Sequence, residues 1–533
     1  MSLTEQTDCT QTQKNVQKNV QTARSLTPQQ CAGRMVMVRL TGTHLDADDA
    51  AFLRDNHIRA VCLFRNNMRD SAQLRQFTRD LRDVMGPTSL IALDQEGGAV
   101  VRTTWLPEPP SAMALGAAAD PQLCYDIGAA VARGIRSLGF NWNFAPVLDV
   151  NNNPDNPVIA ERSFGADPLA VSRLALAWMD GSLSEGVACC VKHFPGHGDT
   201  NVDSHRALPT VGKTRAQLEA LELVPFRLAA CHGGMDGGQS PGTPAMMTAH
   251  IVYPALDPDH PATLSHAILT GLLRTTWKYT GVVITDSMDM HAISGRYGAA
   301  NAAIMAVVAG ADMVMALGSR EDQLATLSAL SAAITHRQLD SAAVETSLQR
   351  LDQLAQRYPC RESAVVGEME DAALMALAWQ RGLTVYRQPS APVPGSKVRL
   401  VMRQDALSDG VSEPGIEAER LAALLQAVYE VELVTYVDAE QADWADLAGT
   451  GQGVAYSVIL ASTSRRRYGI KARTTWHPDL HLVLWNPFLA LDIAAPAVIS
   501  YGFAEPAIAA VIGWMTGAVT PVGSLPVLGF DLG

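Results

Sequence analysis

Val187-Ala188-Cys189-Cys190-Val191-Lys192-His193-Phe194-Pro195-Gly196-His197-Gly198-Asp199-Thr200-Asn201-Val202-Asp203-Ser204-His205 passes from an apolar run into a loop dense in reactive side chains. Val187–His193 reads as a strand. From Lys192 to His205 the chain carries three histidines, two aspartates and a lysine as it enters a Gly/Pro-containing loop. The same succession recurs on both sides. Further strands are predicted at Met35–Leu40, Ala60–Phe64, Leu90–Leu93, Asn143–Val147, Met246–Ile251, Val282–Thr285 and Met313–Leu317. Amphipathic stretches lie between them at Ser71–Val84, Leu123–Leu138, Leu169–Ser184, Arg215–Ala229, Ser265–Thr276 and Ala299–Val308. Strand–helix alternation implies parallel strands joined by crossover helices. Eight such units in roughly 300 residues fit an α/β fold of the TIM-like (β/α)8 barrel type better than an open sheet. Closure is supported by where the polar residues fall: Asp94, Asp149, His193 and Asp286 each stand at or just past the C-terminal end of a strand, the face on which barrels carry their sites.

Beyond the barrel, residues 339–379 look helical, with a break at Pro359-Cys360, and Gln388–Gly395 is Pro-rich. New strands are expected at Val398–Met402, Val431–Val437, Val454–Leu460, His481–Trp485 and Ala497–Tyr501, with helices at Ala418–Tyr429 and Pro506–Met515. The chain therefore divides into a polar leader (1–30), a catalytic barrel (31–345), a helical connector and Pro-rich loop (346–395) and a smaller C-terminal α/β sandwich domain (396–533). Two domains suit 533 residues, which exceed what one core usually organises.

The formal net charge of -13 argues against a nucleic-acid partner, whose phosphates require clustered Lys and Arg. The eight cysteines form no CxxC pair and several sit in apolar runs, so buried reduced thiols are expected rather than disulfides or a metal-thiolate site. Met1–Gln30 has no apolar h-region, and the longest apolar stretches are interrupted by Asn, Asp, Pro and Gly. The expectation is a cytoplasmic protein with no membrane partner.

Three constellations could carry chemistry. In the loop after Val191, a polar surface loop is the plain alternative. A metal site from His193, His197, Asp199 and His205 is chemically possible, but HExxH-type spacing is missing, and no metal or cofactor is expected. Acid/base work is the third reading. Asp203 and His205 are two apart, so an extended loop puts both side chains on one side. A carboxylate bound to one imidazole nitrogen fixes the tautomer and leaves the other free to exchange a proton near neutral pH.

In Val283-Ile284-Thr285-Asp286-Ser287-Met288-Asp289-Met290, Asp286 ends an otherwise apolar strand. Strand interiors disfavour Asp, so it either caps the next helix or stands at the barrel mouth as a nucleophile. Asp289, displaced into the turn, is the weaker candidate. In Leu93-Asp94-Gln95-Glu96-Gly97-Gly98-Ala99-Val100-Val101-Arg102, paired glycines let the backbone turn sharply and approach a ligand. Asp94 and Arg102 then offer an acceptor and a donor, and Arg162 in Glu161-Arg162-Ser163-Phe164-Gly165 adds a second donor fork.

Together these segments closely resemble the glycoside hydrolase family 3 β-N-acetylglucosaminidases (β-N-acetylhexosaminidases). Lys192–His205 matches the family's KHFPGHG…DSH stretch, Asp94–Arg102 its DQEGG…R element with Ala99 where Arg is common, and the ERSFG and TD-x-M-x-M elements also match. The resemblance implies a retaining exo-hydrolase of terminal N-acetylglucosamine, with a small-molecule carbohydrate as substrate. Asp286 takes the nucleophile position, and Asp203 with His205 forms the dyad replacing the usual carboxylic acid. Asp94, Arg102, Arg162, Lys192 and His193 match sugar-binding positions. Asn486-Pro487 and Pro521–Pro526 resemble the closing pattern of the family's second domain. By analogy, muropeptides from cell-wall recycling are expected substrates. A phosphorylase with the same intermediate, a β-glucosidase or β-xylosidase, a non-catalytic sugar-binding protein and a metal-dependent hydrolase are the competing readings. The DSH element argues against the glucosidase, and the presence of both Asp286 and His205 argues against the binding protein.

Overall fold

Eight short segments, β1 (Val36–Arg39), β2 (Ala60–Cys62), β3 (Leu90–Leu93), β4 (Trp142–Asn143), β5 (Ala188–Phe194), β6 (Ala245–Thr248), β7 (Val282–Ser287) and β8 (Met313–Ala316), pair in parallel. In this computed structural model, which describes residues 26–202, 207–233, 242–361, 367–406, 411–449 and 456–530, they close into a barrel in the order β1-β8-β7-β6-β5-β4-β3-β2. Each runs where the sequence predicts an apolar run. Burial of β5 along its whole length accounts for its apolar sequence, and Lys192 and His193 near its C-terminal end are its ionisable side chains other than cysteine thiols. β4 is shorter than Asn143–Val147 because Pro146 has no N–H to give the ladder.

The helix Ser71–Met85 illustrates how the outer layer is specified. The Asp70 side chain accepts from Gln73 N (2.9 Å), Leu74, Phe77, Leu81 and Met85 form the buried stripe, and Gly86 at φ 89° ends it. The stretch Arg215–Ala229 is instead two helices, Arg215–Ala220 and Leu223–Cys231. Pro225 cannot donate to the Leu221 carbonyl, so a continuous helix breaks there. Ala267–Thr276 coils as a π-helix.

The second sheet has β9 (Thr384–Tyr386), β10 (Lys397–Arg403), β11 (Glu430–Tyr436), β12 (Ser457–Ser462), β13 (Leu480–Val483) and β14 (Ala497–Ile499), in the order β9-β14-β13-β12-β10-β11. All pairs are parallel except the edge pair β9–β14. β9 lies within the stretch read as connector; three residues before a Pro-rich loop are too few for an alternating pattern to show. The sequence boundary at 345/346 falls inside the helix Ser341–Arg357, whose Leu348, Leu351 and Leu354 belong to the barrel core. The helix Glu368–Gly382 joins the two layers, with Met375 in the barrel core and Trp379 packed under the second sheet.

The two domains are stitched on the barrel face that carries the strands' C-terminal ends. Arg465 pairs with Glu161 at 3.0 Å, both buried, and also donates to Ser412 Oγ (2.6 Å). Glu413 N donates to the Ala99 carbonyl (2.8 Å), and Ala166 N to that of Pro526 (2.8 Å). Six of the seven described cysteines are buried free thiols, Cys231 being partly exposed; Cys9 lies outside the described residues. Among the described residues no helix is long and apolar enough to cross a membrane.

Candidate active site

The C-terminal ends of the barrel strands enclose a cavity of about 560 Å3, within the ~300–1,000 Å3 typical of small-molecule sites. Asp94, Arg102, Arg162, Lys192, His193 and Asp286 all line it. Asp203 and His205, the acid/base candidates, lie outside the described residues. Counting round the barrel, β3 and β7 are four steps apart in either direction (β3-β4-β5-β6-β7 and β3-β2-β1-β8-β7), so Asp286 stands diametrically across from the segment after β3.

Opposite Asp286 is a packed lattice of charges. Lys192, only 2% exposed, sits 2.7 Å from Asp94 Oδ1 and 2.5 Å from Glu96 Oε1. Arg162 holds Glu96 with both arms of its fork, Nε at 2.8 Å and Nη2 at 2.7 Å. Burial alone would raise the Glu96 carboxyl, but Arg162 and Lys192 outweigh it and hold it well below the usual carboxylate range. Burial pulls the Lys192 ammonium down, yet Asp94 and Glu96 leave it above its ordinary value, so it stays charged. Arg102 bridges more loosely, 3.9 Å from Asp94 and 3.5 Å from Glu413 of the second domain.

His193 is oriented from below. Its Nδ1 lies 2.7 Å from Asp149 Oδ2, its backbone N donates to Asp149 Oδ1 (3.2 Å), and its Nε2 faces Arg162 Nη2 at 3.5 Å. Nδ1 is then the protonated nitrogen, and Nε2 is presented as an acceptor. Asp149 is fully buried and also accepts from His197 N (2.7 Å); burial pushes its carboxyl up, and His193 and His197 more than reverse that. Burial, with His193 alongside, lowers His197 to about 4.

The depressed His197 couples folding to pH. Unfolded, His197 takes up a proton below about pH 6.5, whereas folded it stays neutral down to about pH 4. Acid therefore favours the unfolded chain across that window. Lowering the pH from 7 to 4.5 should cost about 2–3 kcal/mol through this residue alone. Urea titrations at the two pH values should show a smaller acid loss in His197→Gln than in wild type. An equal loss in the two proteins would contradict the assignment.

Asp286 is the penultimate residue of β7, partly exposed to the cavity, with Oδ1 accepting from Ser287 N (2.7 Å). It is not a helix cap: the next helix starts at His291 with Met290 in the cap position. Asp289 also lines the cavity but is exposed in the turn beyond the strand. The strand end is fixed through its neighbours, as His250 Nε2 meets the Ser287 carbonyl at 2.9 Å and Met315 N donates to Thr285 Oγ1 (3.0 Å).

The paired glycines do make a sharp turn, Gly97 at φ 111° and Gly98 at φ 58°. What they approach is protein rather than the cavity: a Cβ on Gly97 would lie 2.2 Å from the Pro110 carbonyl oxygen, and one on Gly98 2.5 Å from Ser111 Cβ. Arg162 and Lys192, expected as ligand donors, spend much of their capacity on Glu96, a residue to which the sequence alone assigns no role. Asp149 shows in the sequence only as a strand-end carboxylate. Glu413 has no signal there, because its loop carries no motif; only the fold brings Val411–Pro414 into the cavity wall.

Comparison with known proteins identifies the family. Residues 29–354 match the glycosyl hydrolase family 3 N-terminal domain. The chain is 35% identical over 331 residues to beta-hexosaminidase A of Pseudoalteromonas piscicida, covering 57% of this chain and 54% of that protein, so it spans about half of that relative. It is 38% identical over 288 residues to a beta-hexosaminidase of Alkalilimnicola ehrlichii, covering 52% of this chain and 79% of the relative. Among solved structures, a glycoside hydrolase family 3 beta-N-acetylglucosaminidase from Paenibacillus sp. FPU-7 superposes with a TM-score of 0.83 at 31% identity, over 95% of this chain and 99% of that one. The chain belongs to glycosyl hydrolase family 3 and is a glycoside hydrolase.

Proposed function

We propose that this enzyme is a retaining exo-β-N-acetylglucosaminidase. The observation that carries the reading is the cavity itself, in which a strand-end carboxylate faces a rigid lattice of donors and acceptors across the barrel. Asp286 attacks C1 of the terminal sugar while His205 protonates the departing oxygen, with Asp203 stabilising the imidazolium. Water, deprotonated by the now neutral His205, releases the sugar from Asp286. Asp94, Arg102, Arg162, Lys192 and His193 hold the sugar's hydroxyls, and the three last are fixed by Glu96 and Asp149 so that little ordering is needed on binding. Muropeptides carrying terminal N-acetylglucosamine, hydrolysed in the cytoplasm during cell-wall recycling, are the substrates that suit this activity.

Product analysis on an aryl N-acetyl-β-glucosaminide tests the reading. Free N-acetylglucosamine is expected with and without added phosphate; a sugar 1-phosphate would make the enzyme a phosphorylase instead. His205→Ala should lower kcat/KM about 100- to 10,000-fold for a poorly departing alkyl aglycone, the range general acids contribute. With a dinitrophenyl aglycone the loss in the first step should nearly vanish, because that leaving group needs no proton. Equal losses with both aglycones would remove His205 from the acid role.

A further inference from the structure

Among the described residues, Glu413 is the carboxylate that the second domain places in the cavity, where it bears on substrate choice. Glu413 stands 3.5 Å from Arg102 Nη1 at the end of the cavity beside β3. It is held there twice over: its own N donates to the Ala99 carbonyl (2.8 Å), and its neighbour Ser412 accepts from Arg465, which is anchored on buried Glu161. Arg102 is itself 8% exposed in its side chain, and its Nε is buried without a hydrogen bond among the described residues. The guanidinium is thus held between Asp94 and Glu413 at ion-pair distances of 3.9 and 3.5 Å.

In a pyranose, C4 lies across the ring from C1. With C1 at Asp286 on β7, the ring's far side, bearing the C4 and C6 hydroxyls, meets the end wall beside β3. Asp94, Glu96 and Glu413 interleave there with Arg102, Arg162 and Lys192, so these charges are largely spent on one another, as suits an uncharged sugar. Arg65 also faces Glu413, from the β2 side, with its Nη1 donating to the Met68 carbonyl (2.7 Å). A phosphate or carboxylate on C4 or C6 would be brought against Glu413.

We propose that Glu413, supplied by the second domain, is a specificity-determining residue: it accepts a hydrogen bond from a C4 or C6 hydroxyl of the terminal sugar and turns away sugars carrying an anionic group there. This rests on the reading of the cavity as an N-acetylglucosaminidase site with Asp286 at C1.

The test compares kcat and KM on 4-nitrophenyl N-acetyl-β-glucosaminide and on its 6-phosphate, for wild type, Glu413→Gln and Glu413→Asp. Wild type should strongly prefer the neutral glycoside. In Glu413→Gln, kcat/KM on the neutral glycoside should fall about tenfold, mainly through KM, and the preference over the phosphate should shrink about tenfold or more. Glu413→Asp keeps the charge and should keep the preference. An unchanged preference in Glu413→Gln, with or without a lowered unfolding midpoint, overturns the inference and leaves the activity assignment standing. So does a wild type that accepts the phosphate equally well. Failure of wild type to release N-acetylglucosamine from the neutral glycoside removes the activity assignment and this inference together.

Discussion

Asp286→Ala is expected to lower kcat/KM on an aryl N-acetyl-β-glucosaminide by about 10,000-fold or more, with KM little affected. The size follows from the role. Binding contacts on the β3 side remain, but no other carboxylate stands at the end of β7 within the strand; Asp289, two residues past it, is exposed in the turn. The fold should be untouched, since the strand end is held by Thr285 and the Ser287 carbonyl rather than by Asp286 alone. Azide supplies a discriminating rescue. Entering the space vacated by the carboxylate, it should attack C1 from the same face and give the α-glycosyl azide in one inverting step. A variant that keeps activity within about tenfold of wild type is incompatible with covalent catalysis at this position.

Glu96→Ala should have the second large effect. The Glu96 carboxylate is 6% exposed and compensates two cations at once, the Arg162 fork and the Lys192 ammonium. Its removal leaves Arg162 buried without its bidentate partner and Lys192 with Asp94 only. Breaking a buried pair in this way costs about 3–5 kcal/mol. Urea unfolding should show a midpoint lowered at unchanged slope, and the surviving folded enzyme should lose turnover as Arg162 and Lys192 shift. The pH dependence has a definite sign. Because the folded-state carboxyl lies below its unfolded value, Glu96 contributes its stability above the ordinary carboxylate range, and that contribution is lost as pH falls through and below it. A variant within about 1 kcal/mol of wild type, equally active, would show that the lattice is not what shapes the site.

Much of this was legible in the chain because barrel strands are short apolar runs and each ends where a polar residue must point into the mouth. Residue pattern alone puts Asp94, Asp149, His193 and Asp286 at strand ends; Asp94, His193 and Asp286 line the cavity, and Asp149 is buried against His193. What remained hidden was pairing. Nothing in the sequence says that Arg162 turns to Glu96, 66 residues away, rather than to a ligand. Glu413 reaches Arg102 from a separate domain, through a loop whose place is set by a salt bridge between Arg465 and Glu161, 304 residues apart. The split at Leu221-Glu222 is legible, since Pro225 just beyond it interrupts the helical pattern; β9 is not, because three residues carry no period.

Trapping the intermediate tests the central claim most directly. A 5-fluoro-N-acetylglucosaminyl fluoride slows both steps by destabilising the oxocarbenium-like transition state, while its good leaving group lets the covalent adduct accumulate. The intact protein should gain the mass of one fluorinated sugar. Tryptic digestion should place it on the peptide Tyr279–Arg296, and fragmentation should assign it to Asp286 rather than Asp289. A label on any other residue would contradict the account, as would steady release of N-acetylglucosamine from an enzyme that never accumulates the adduct.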